Sequence, residues 1–204
     1  MAKKSWDKYW EKIYSSREWG KYPPEELVRF IARTYYKVAD RSKIKILDLG
    51  CGTGAAAWYL AREGFTVCGI DGSPTAIEIA LKRFAQEKLQ GRFEAGDIIS
   101  LPYADGQFDC VVDIASIQHN STPHIKEIMA EVHRVLKPKG HIFSMMIARD
   151  KSLATWPGMI HFFFTLAEVK KLLRTFVSVR IEYVARTKDE RQIKTKFWIV
   201  EATK

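Results

Sequence analysis

Residues 43–63 constrain the fold more than any other stretch of the chain. Lys43–Leu49 (KIKILDL) is a short run rich in β-branched and apolar residues, and Ala55–Glu63 has the composition of a helix. Between them lies Asp48-Leu49-Gly50-Cys51-Gly52-Thr53-Gly54, whose glycines sit at every second position. Glycine permits positive φ and lets the backbone approach a ligand closely. A strand passing through such a turn into a helix is the first half of a βαβ unit. That unit places backbone N–H groups at a helix start, facing whatever binds there.

The rest of the chain repeats the alternation. Thr66–Ile70 reads as a second strand closed by Asp71, with Gly64 as the left-handed stop of the preceding helix. Ser73 is placed to cap a helix that begins at Pro74, where a missing N–H costs nothing. Ile77, Leu81, Phe84 and Leu89 form its apolar stripe. Arg92–Ala95 reads as a third strand, and Phe108–Ile114 (FDCVVDI) as a fourth, apolar enough to be buried on both faces. His124–Leu136 reads as a helix ended by Lys137-Pro138-Lys139-Gly140, and His141–Ala148 as a fifth strand. Thr165-Leu166-Ala167-Glu168 matches a capping box, opening a helix to about Phe176. Val177–Arg186 and Gln192–Thr203 follow each other without a helix, with a turn at Lys188-Asp189-Glu190, and should pair antiparallel. Pro24–Val38 adds a helix before the first strand, with Leu27, Phe30, Ile31 and Tyr35 inward. The expected fold class is α/β: a doubly wound, mostly parallel seven-stranded sheet with a C-terminal antiparallel hairpin and helices on both faces. One domain is expected over 1–204, with 1–40 as a helical lid and 41–204 as the Rossmann-like core.

Composition excludes several classes. The chain has no apolar run long enough to span a bilayer, and its start, Met1-Ala2-Lys3-Lys4-Ser5-Trp6, lacks the apolar core of a secretory signal. Cys51, Cys68 and Cys110 are far apart without a CxxC pair, which argues against a disulfide framework or zinc site and fits a reducing cytoplasm. No metal is expected. The net charge of +9 suits anionic partners. The basic residues are scattered, however, and a charged, solvated surface explains them as well.

The glycine loop admits two cofactors. Gly50 to Ala55 satisfies G-x-G-x-x-A, the dinucleotide fingerprint, and Asp71, 21 residues past Gly50, could hold a ribose in either case. Asp48 discriminates. A carboxylate two residues before the first glycine would repel a pyrophosphate but would stabilise a ligand carrying an ammonium and a sulfonium. The segment DLGCGTG resembles the first motif, [D/E]-x-G-x-G-x-G, of the class I S-adenosylmethionine-dependent methyltransferases, at full match.

That resemblance covers roughly residues 25–204 and implies a set of cofactor contacts. Asp48, Gly50, Cys51 and Gly52 would form the loop that meets the cofactor. Asp71 would accept the ribose hydroxyls, with Gly72 and Ser73 beside the adenosine. Asp97 would bond the adenine amino group, and Ile98 would meet the ring. Asp113, in Asp113-Ile114-Ala115, would lie under the methionine part. Each acid has an ordinary alternative as a turn residue or helix cap. The lead-in Trp6-Asp7-Lys8-Tyr9-Trp10-Glu11-Lys12-Ile13-Tyr14 with Trp19-Gly20 resembles a family segment that folds over the cofactor, making Trp10 and Tyr14 lid residues. Its helical spacing equally suits simple packing on the domain. The product would be S-adenosylhomocysteine.

Methyl transfer from a sulfonium expels a neutral thioether, so the protein's main contribution is orientation and exclusion of water. A base is needed only for a protonated acceptor. His119, just past the fourth strand, is the candidate, with His161 second; either could instead be a loop histidine bonding backbone. The fourth strand is not followed by [N/D]-P-P-[Y/F], nor by a Pro-Cys nucleophile, which disfavours nucleic-acid bases. Phe163–Glu168 resembles a segment of small-molecule and tellurite-resistance-type methyltransferases. A small molecule or a protein side chain is the expected acceptor. Two other functions share the loop: an NAD-dependent oxidoreductase, and a non-catalytic nucleic-acid-binding module that kept the cofactor fold.

Overall fold

A computed structural model describes residues 6–149, 161–187 and 193–204. The turn expected at Lys188-Asp189-Glu190 lies outside them. Seven strands, β1 (Lys45–Leu49), β2 (Thr66–Asp71), β3 (Arg92–Ala95), β4 (Phe108–Ile114), β5 (Leu136–Ile147), β6 (Val177–Thr187) and β7 (Ile193–Thr203), form one sheet in the order β3-β2-β1-β4-β5-β7-β6. The first five pair in parallel, and β7 is antiparallel to both β5 and β6. The helices are α1 (Tyr9–Ser16), α2 (Glu25–Tyr35), α3 (Ala55–Arg62), α4 (Pro74–Gln86), α5 (Thr122–Val135) and α6 (Leu166–Leu172). The expected α/β architecture is the observed one.

Period-two alternation sorts the core into two layers. Leu47, Val111, Ile142 and Val200 pack against Ile125, Ile128 and Met129 of α5 and Val169 of α6. Ile46, Cys110, Val112 and Phe143 point the other way, against Leu27, Phe30 and Ile31 of α2 and Ala57 and Leu60 of α3. β4 is therefore covered on both faces, as its continuous apolar run required.

Local chemistry fixes most boundaries. Gly64 ends α3 at φ +88°, the Ser73 hydroxyl caps α4 by accepting the Ala76 N–H, and Thr165 and Glu168 form the reciprocal capping box of α6. Three expectations need correcting. Leu81 is exposed on α4, and Ala76 and Ala80 take the buried stripe beside Ile77 and Phe84, with the Ala80 methyl packed against Gly54 at the start of α3. β5 starts at Leu136, which pairs with Phe108, so Lys137–Gly140 is a kink in the strand, with Lys139 at φ +66°, and no separate turn. α6 ends at Leu172, short of Phe176.

Candidate functional site

The C-terminal ends of β1, β2 and β4 meet beneath α1, and a cavity of about 420 Å³ opens there. Parallel α/β sheets bind ligands at this position, where the strand order reverses between β1 and β4. The glycine loop makes its floor. Gly50, Gly52 and Gly54 all have positive φ, and Gly50 and Gly52 each touch a neighbour that leaves no room for a side chain. A Cβ on Gly50 would lie 2.4 Å from the Ser116 side chain, and one on Gly52 would lie 2.7 Å from the Tyr14 hydroxyl.

Two carboxylates stand in the floor. Asp48 is 2% exposed, and its Oδ2 accepts the Ala57 N–H in the first turn of α3 at 2.9 Å. Burial raises its pKa to about 7, with the Asp71 and Asp113 charges adding to the effect. Asp71 closes β2; its Oδ2 accepts the Gly52 N–H at 2.8 Å and its Oδ1 the Ser73 N–H at 2.9 Å. Burial raises its pKa as well, against those two bonds. A carboxylate can accept about four hydrogen bonds, so Asp71 keeps lone pairs for a ligand. Cys51 lines the cavity, and burial keeps its thiol protonated. Gly72, Gly96 and Ile98 line the same wall.

The structure separates other expected residues from this lining. Ser73 is fully buried, and its hydroxyl is engaged by the α4 cap and by Glu11. The Asp97 Oδ1 accepts the Ile99 N–H at 3.1 Å, between the lining residues Gly96 and Ile98. Asp113 is 0% exposed, and burial raises its pKa to about 6. Its Oδ1 accepts the Ser116 and Ile117 N–H groups, and its Oδ2 accepts the Ser144 hydroxyl. Asp113 thus folds the turn after β4, in which Ala115 takes φ +63° and lines the cavity. Non-glycine residues in that region are strained and cluster at functional sites.

α1 and the segment after it form the roof. Trp10 stacks on Tyr14 with ring centroids 5.7 Å apart, and Trp19 meets both edge-on. Burial and the nearby Asp71 push the Tyr14 phenol pKa well upward, so it stays protonated. Glu11 accepts hydrogen bonds from the Ser73 and Thr75 hydroxyls at the start of α4, and those bonds hold its carboxyl below the usual range. Trp6 covers Gly72, where a Cβ would lie 2.4 Å from its ring. His119, 9% exposed, lines the far end between Trp10 and His161, at 4.8 and 4.6 Å between ring centroids. The Phe162 N–H donates to the Gln118 carbonyl at 2.7 Å and brings His161 there. Sequence reasoning placed Trp6 and Glu11 in the lead-in without singling them out, and it missed Ser116. Glu11 meets Ser73 and Thr75, Trp6 meets Gly72, and the Ser116 hydroxyl donates to the Gly50 carbonyl, all more than 60 residues away, so no local pattern marks these contacts.

Among the described residues no group of three or more His, Cys, Asp or Glu could hold a metal, and no helix is long and apolar enough to cross a membrane.

Residues 46–140 match the methyltransferase domain family. The uncharacterized methyltransferase sll0829 of Synechocystis sp. is 36% identical over 118 residues, 58% of this chain and 54% of that protein. The chain spans about half the length of this curated relative. Among solved structures, one from work on conversion of a disulfide bond into a thioacetal group during echinomycin biosynthesis superposes with a TM-score of 0.74 at 20% identity, covering 97% of this chain and 91% of the other. The 1,6-didemethyltoxoflavin-N1-methyltransferase of Burkholderia thailandensis, solved with 1,6-didemethyltoxoflavin and S-adenosylhomocysteine bound, superposes with a TM-score of 0.70 at 21% identity, covering 88% of this chain and 76% of that one. At these identities the two structures show a shared fold.

Proposed function

We propose, from the match of residues 46–140 to the methyltransferase domain family, that this chain is an S-adenosylmethionine-dependent methyltransferase and that the cavity over the glycine loop is its cofactor site. One observation carries the reading. The cavity is lined by Asp7, Asp48 and Asp71, and by no Lys or Arg among the described residues. Such a lining favours a cation and opposes the pyrophosphate of a dinucleotide. Burial, with neighbouring carboxylates adding to it, keeps Asp48 and Asp71 reluctant to ionise, and a bound cation would relieve that cost.

The residues fit the group in shape as well. Gly50 and Gly52 leave no Cβ between the floor and a ligand, and Trp10 and Tyr14 supply ring faces, which attract a sulfonium. S-adenosylmethionine supplies, when bound, a methyl group activated by the positive sulfur. Asp71 would hold the ribose hydroxyls through its remaining lone pairs. Asp48 would sit beneath the positive end. Gly72, Gly96 and Ile98 would bound the adenosine end, with Asp97 and Ser73 supporting them from behind. Asp113 would act by fixing the Ala115–Ile117 turn against the methionine part. Trp10 and Tyr14 would exclude water, which strengthens each electrostatic contact inside. His119 would take a proton from an acceptor that arrives protonated. The S-adenosylhomocysteine held by the structurally similar Burkholderia enzyme is consistent with this assignment.

Calorimetric titration with S-adenosylhomocysteine and NAD tests the proposal. Binding of S-adenosylhomocysteine without NAD supports it, and binding of NAD alone overturns it. Transfer of labelled methyl from S-adenosylmethionine into fractionated extract then identifies the acceptor fraction.

A further inference from the structure

A second cavity, of about 550 Å³, lies between α5 and α6. That is the size of a small-molecule site. Among the described residues it shares no lining with the cavity over the glycine loop. His161 lines the first, and Phe162 and Phe164 line the second, so the 161–164 segment runs between the two. The wall is apolar. Ile125 and Met129 come from α5, Phe164 precedes α6, and all three are buried in the main core. Phe162 and Leu172 pack against that core but are only half-buried, which leaves apolar surface facing the cavity.

The same lining holds Lys126 of α5, Lys171 in the last turn of α6 and Arg174 just beyond it. All three are exposed, and none is paired with an acid among the described residues. On its helix Lys126 has Thr122, Pro123, Met129 and Ala130 at the three- and four-residue spacings, so no acid can reach it locally. Lys171 has Glu168 at that spacing, but Glu168 is engaged by the Thr165 cap and by Arg149 at 3.2 Å. Lys171 also suits the negative end of α6; Lys126, in the first half of α5, has no such role. Like charges gathered without an acid repel one another, and a bound anion would remove that cost.

We propose that this cavity is a second binding site, for a medium-chain aliphatic carboxylate, with the chain against Met129, Phe162 and Leu172 and the carboxylate among Lys126, Lys171 and Arg174. The cations set the sign of the head, and the apolar wall sets the nature of the body. A neutral apolar molecule would leave the cations uncompensated, and an inorganic anion would leave the apolar wall in water. The proposal goes beyond the methyltransferase reading and does not rest on it, because the two cavities are lined by different residues.

Calorimetry on the full chain tests it with decanoate, 1-decanol and decyltrimethylammonium, which share a chain length and differ in head charge, and with the shorter hexanoate. Decanoate should bind one-to-one and about tenfold more tightly than 1-decanol, the size of one hydrogen bond to a charged group. Decyltrimethylammonium should not bind. Hexanoate should be weaker than decanoate by more than tenfold, since each CH₂ removed from the chain loses apolar burial. The triple variant Lys126→Gln, Lys171→Gln, Arg174→Gln should bring decanoate to the level of 1-decanol and leave 1-decanol unchanged. The head-group comparison needs no variant and decides the matter even if the triple variant fails to fold. Saturating S-adenosylhomocysteine should leave decanoate binding in place. Equal binding of the three long-chain probes, binding at many sites, no binding of decanoate, unaltered decanoate affinity in the triple variant, or displacement by S-adenosylhomocysteine would overturn the proposal. If decanoate binds one-to-one and S-adenosylhomocysteine does not bind, the cofactor reading falls while the second site stands; the reverse result removes only the second site.

Discussion

The Asp71 carboxylate accepts the Gly52 N–H across 2.8 Å, so one hydrogen bond ties the end of β2 to the middle of the glycine loop. Gly52 in turn lies under the Tyr14 hydroxyl. Loop, strand-end acid and roof are therefore one connected unit, and a change in any of them is felt at the others.

Asp71→Asn tests the acid. The amide keeps one acceptor oxygen for a backbone N–H and loses the charge and half the lone pairs. S-adenosylhomocysteine affinity should fall at least tenfold, about 1.4 kcal/mol. Calorimetry reads this directly, and unchanged affinity would remove Asp71 from the site.

Gly52→Ala tests the close approach. Gly52 sits at φ +51°, and the new methyl would meet the Tyr14 hydroxyl. Left-handed backbone costs a residue with a side chain about 1–2 kcal/mol, before any clash is counted. The double variant Gly52→Ala with Tyr14→Phe should recover the clash component and leave the backbone component. Denaturant unfolding of both single variants and the double variant measures the coupling. Strict additivity would show that the two residues do not meet.

The pKa values of Asp48 and Asp113, raised to about 7 and about 6, set a pH dependence. For a carboxyl raised on folding, the favourable contribution is complete below its unfolded value near 3.8 and is lost as pH rises through the folded one. Thermal stability of the ligand-free protein should therefore decline from pH 5 to pH 8. A cationic ligand favours the ionised form, so S-adenosylmethionine should bind about tenfold more tightly at pH 8 than at pH 6, with proton release, if it moves Asp48 below that window. Calorimetry in two buffers of different ionisation enthalpy counts the protons. The slope should flatten in Asp48→Asn; a wild-type affinity constant over this range would refute the role of Asp48.

Glu11→Ala tests the roof. Glu11 holds α1 to the start of α4 through the Ser73 and Thr75 hydroxyls. Its removal should speed S-adenosylhomocysteine dissociation several-fold while changing global stability by only about 1 kcal/mol, since the lost bonds are partly exposed. Stopped-flow tryptophan fluorescence follows the dissociation, with Trp10 and Trp19 as reporters. An unaltered off-rate would mean that α1 does not gate the cavity.

Asp113→Ala should act on folding before binding. It would leave the Ser116 and Ile117 N–H groups and the Ser144 hydroxyl without their partner in a buried site, at about 1–3 kcal/mol for each group left unpaired. Relief of the buried carboxyl offsets part of this, so a net loss of about 3 kcal/mol is expected from urea unfolding. A fully stable variant would show that the turn after β4 does not depend on Asp113.

The sequence by itself determined the sheet and the loop, because their causes are local. Glycine at positive φ, Ser73 before Pro74, the Thr165–Glu168 capping box and the alternation of apolar runs with helical stripes each act within a few residues. The placement of Asp48 and Asp71 in one floor also followed, since both lie near the C-terminal ends of adjacent parallel strands. Tertiary structure alone decided the rest. Asp97 and Asp113 have the strand-end position of a binding acid, yet their carboxylates turn to nearby backbone, and only the folded loops show which way they face. Leu81 has the helical spacing of a core residue, and the packing of α4 against Gly54 puts Ala80 there instead. Glu11 meets Ser73 across 62 residues, and Asn120 is left with one unpaired oxygen by the carbonyls of its own turn. A hydrogen bond between distant segments leaves no period in the sequence, so its partners appear only when packing has brought them together.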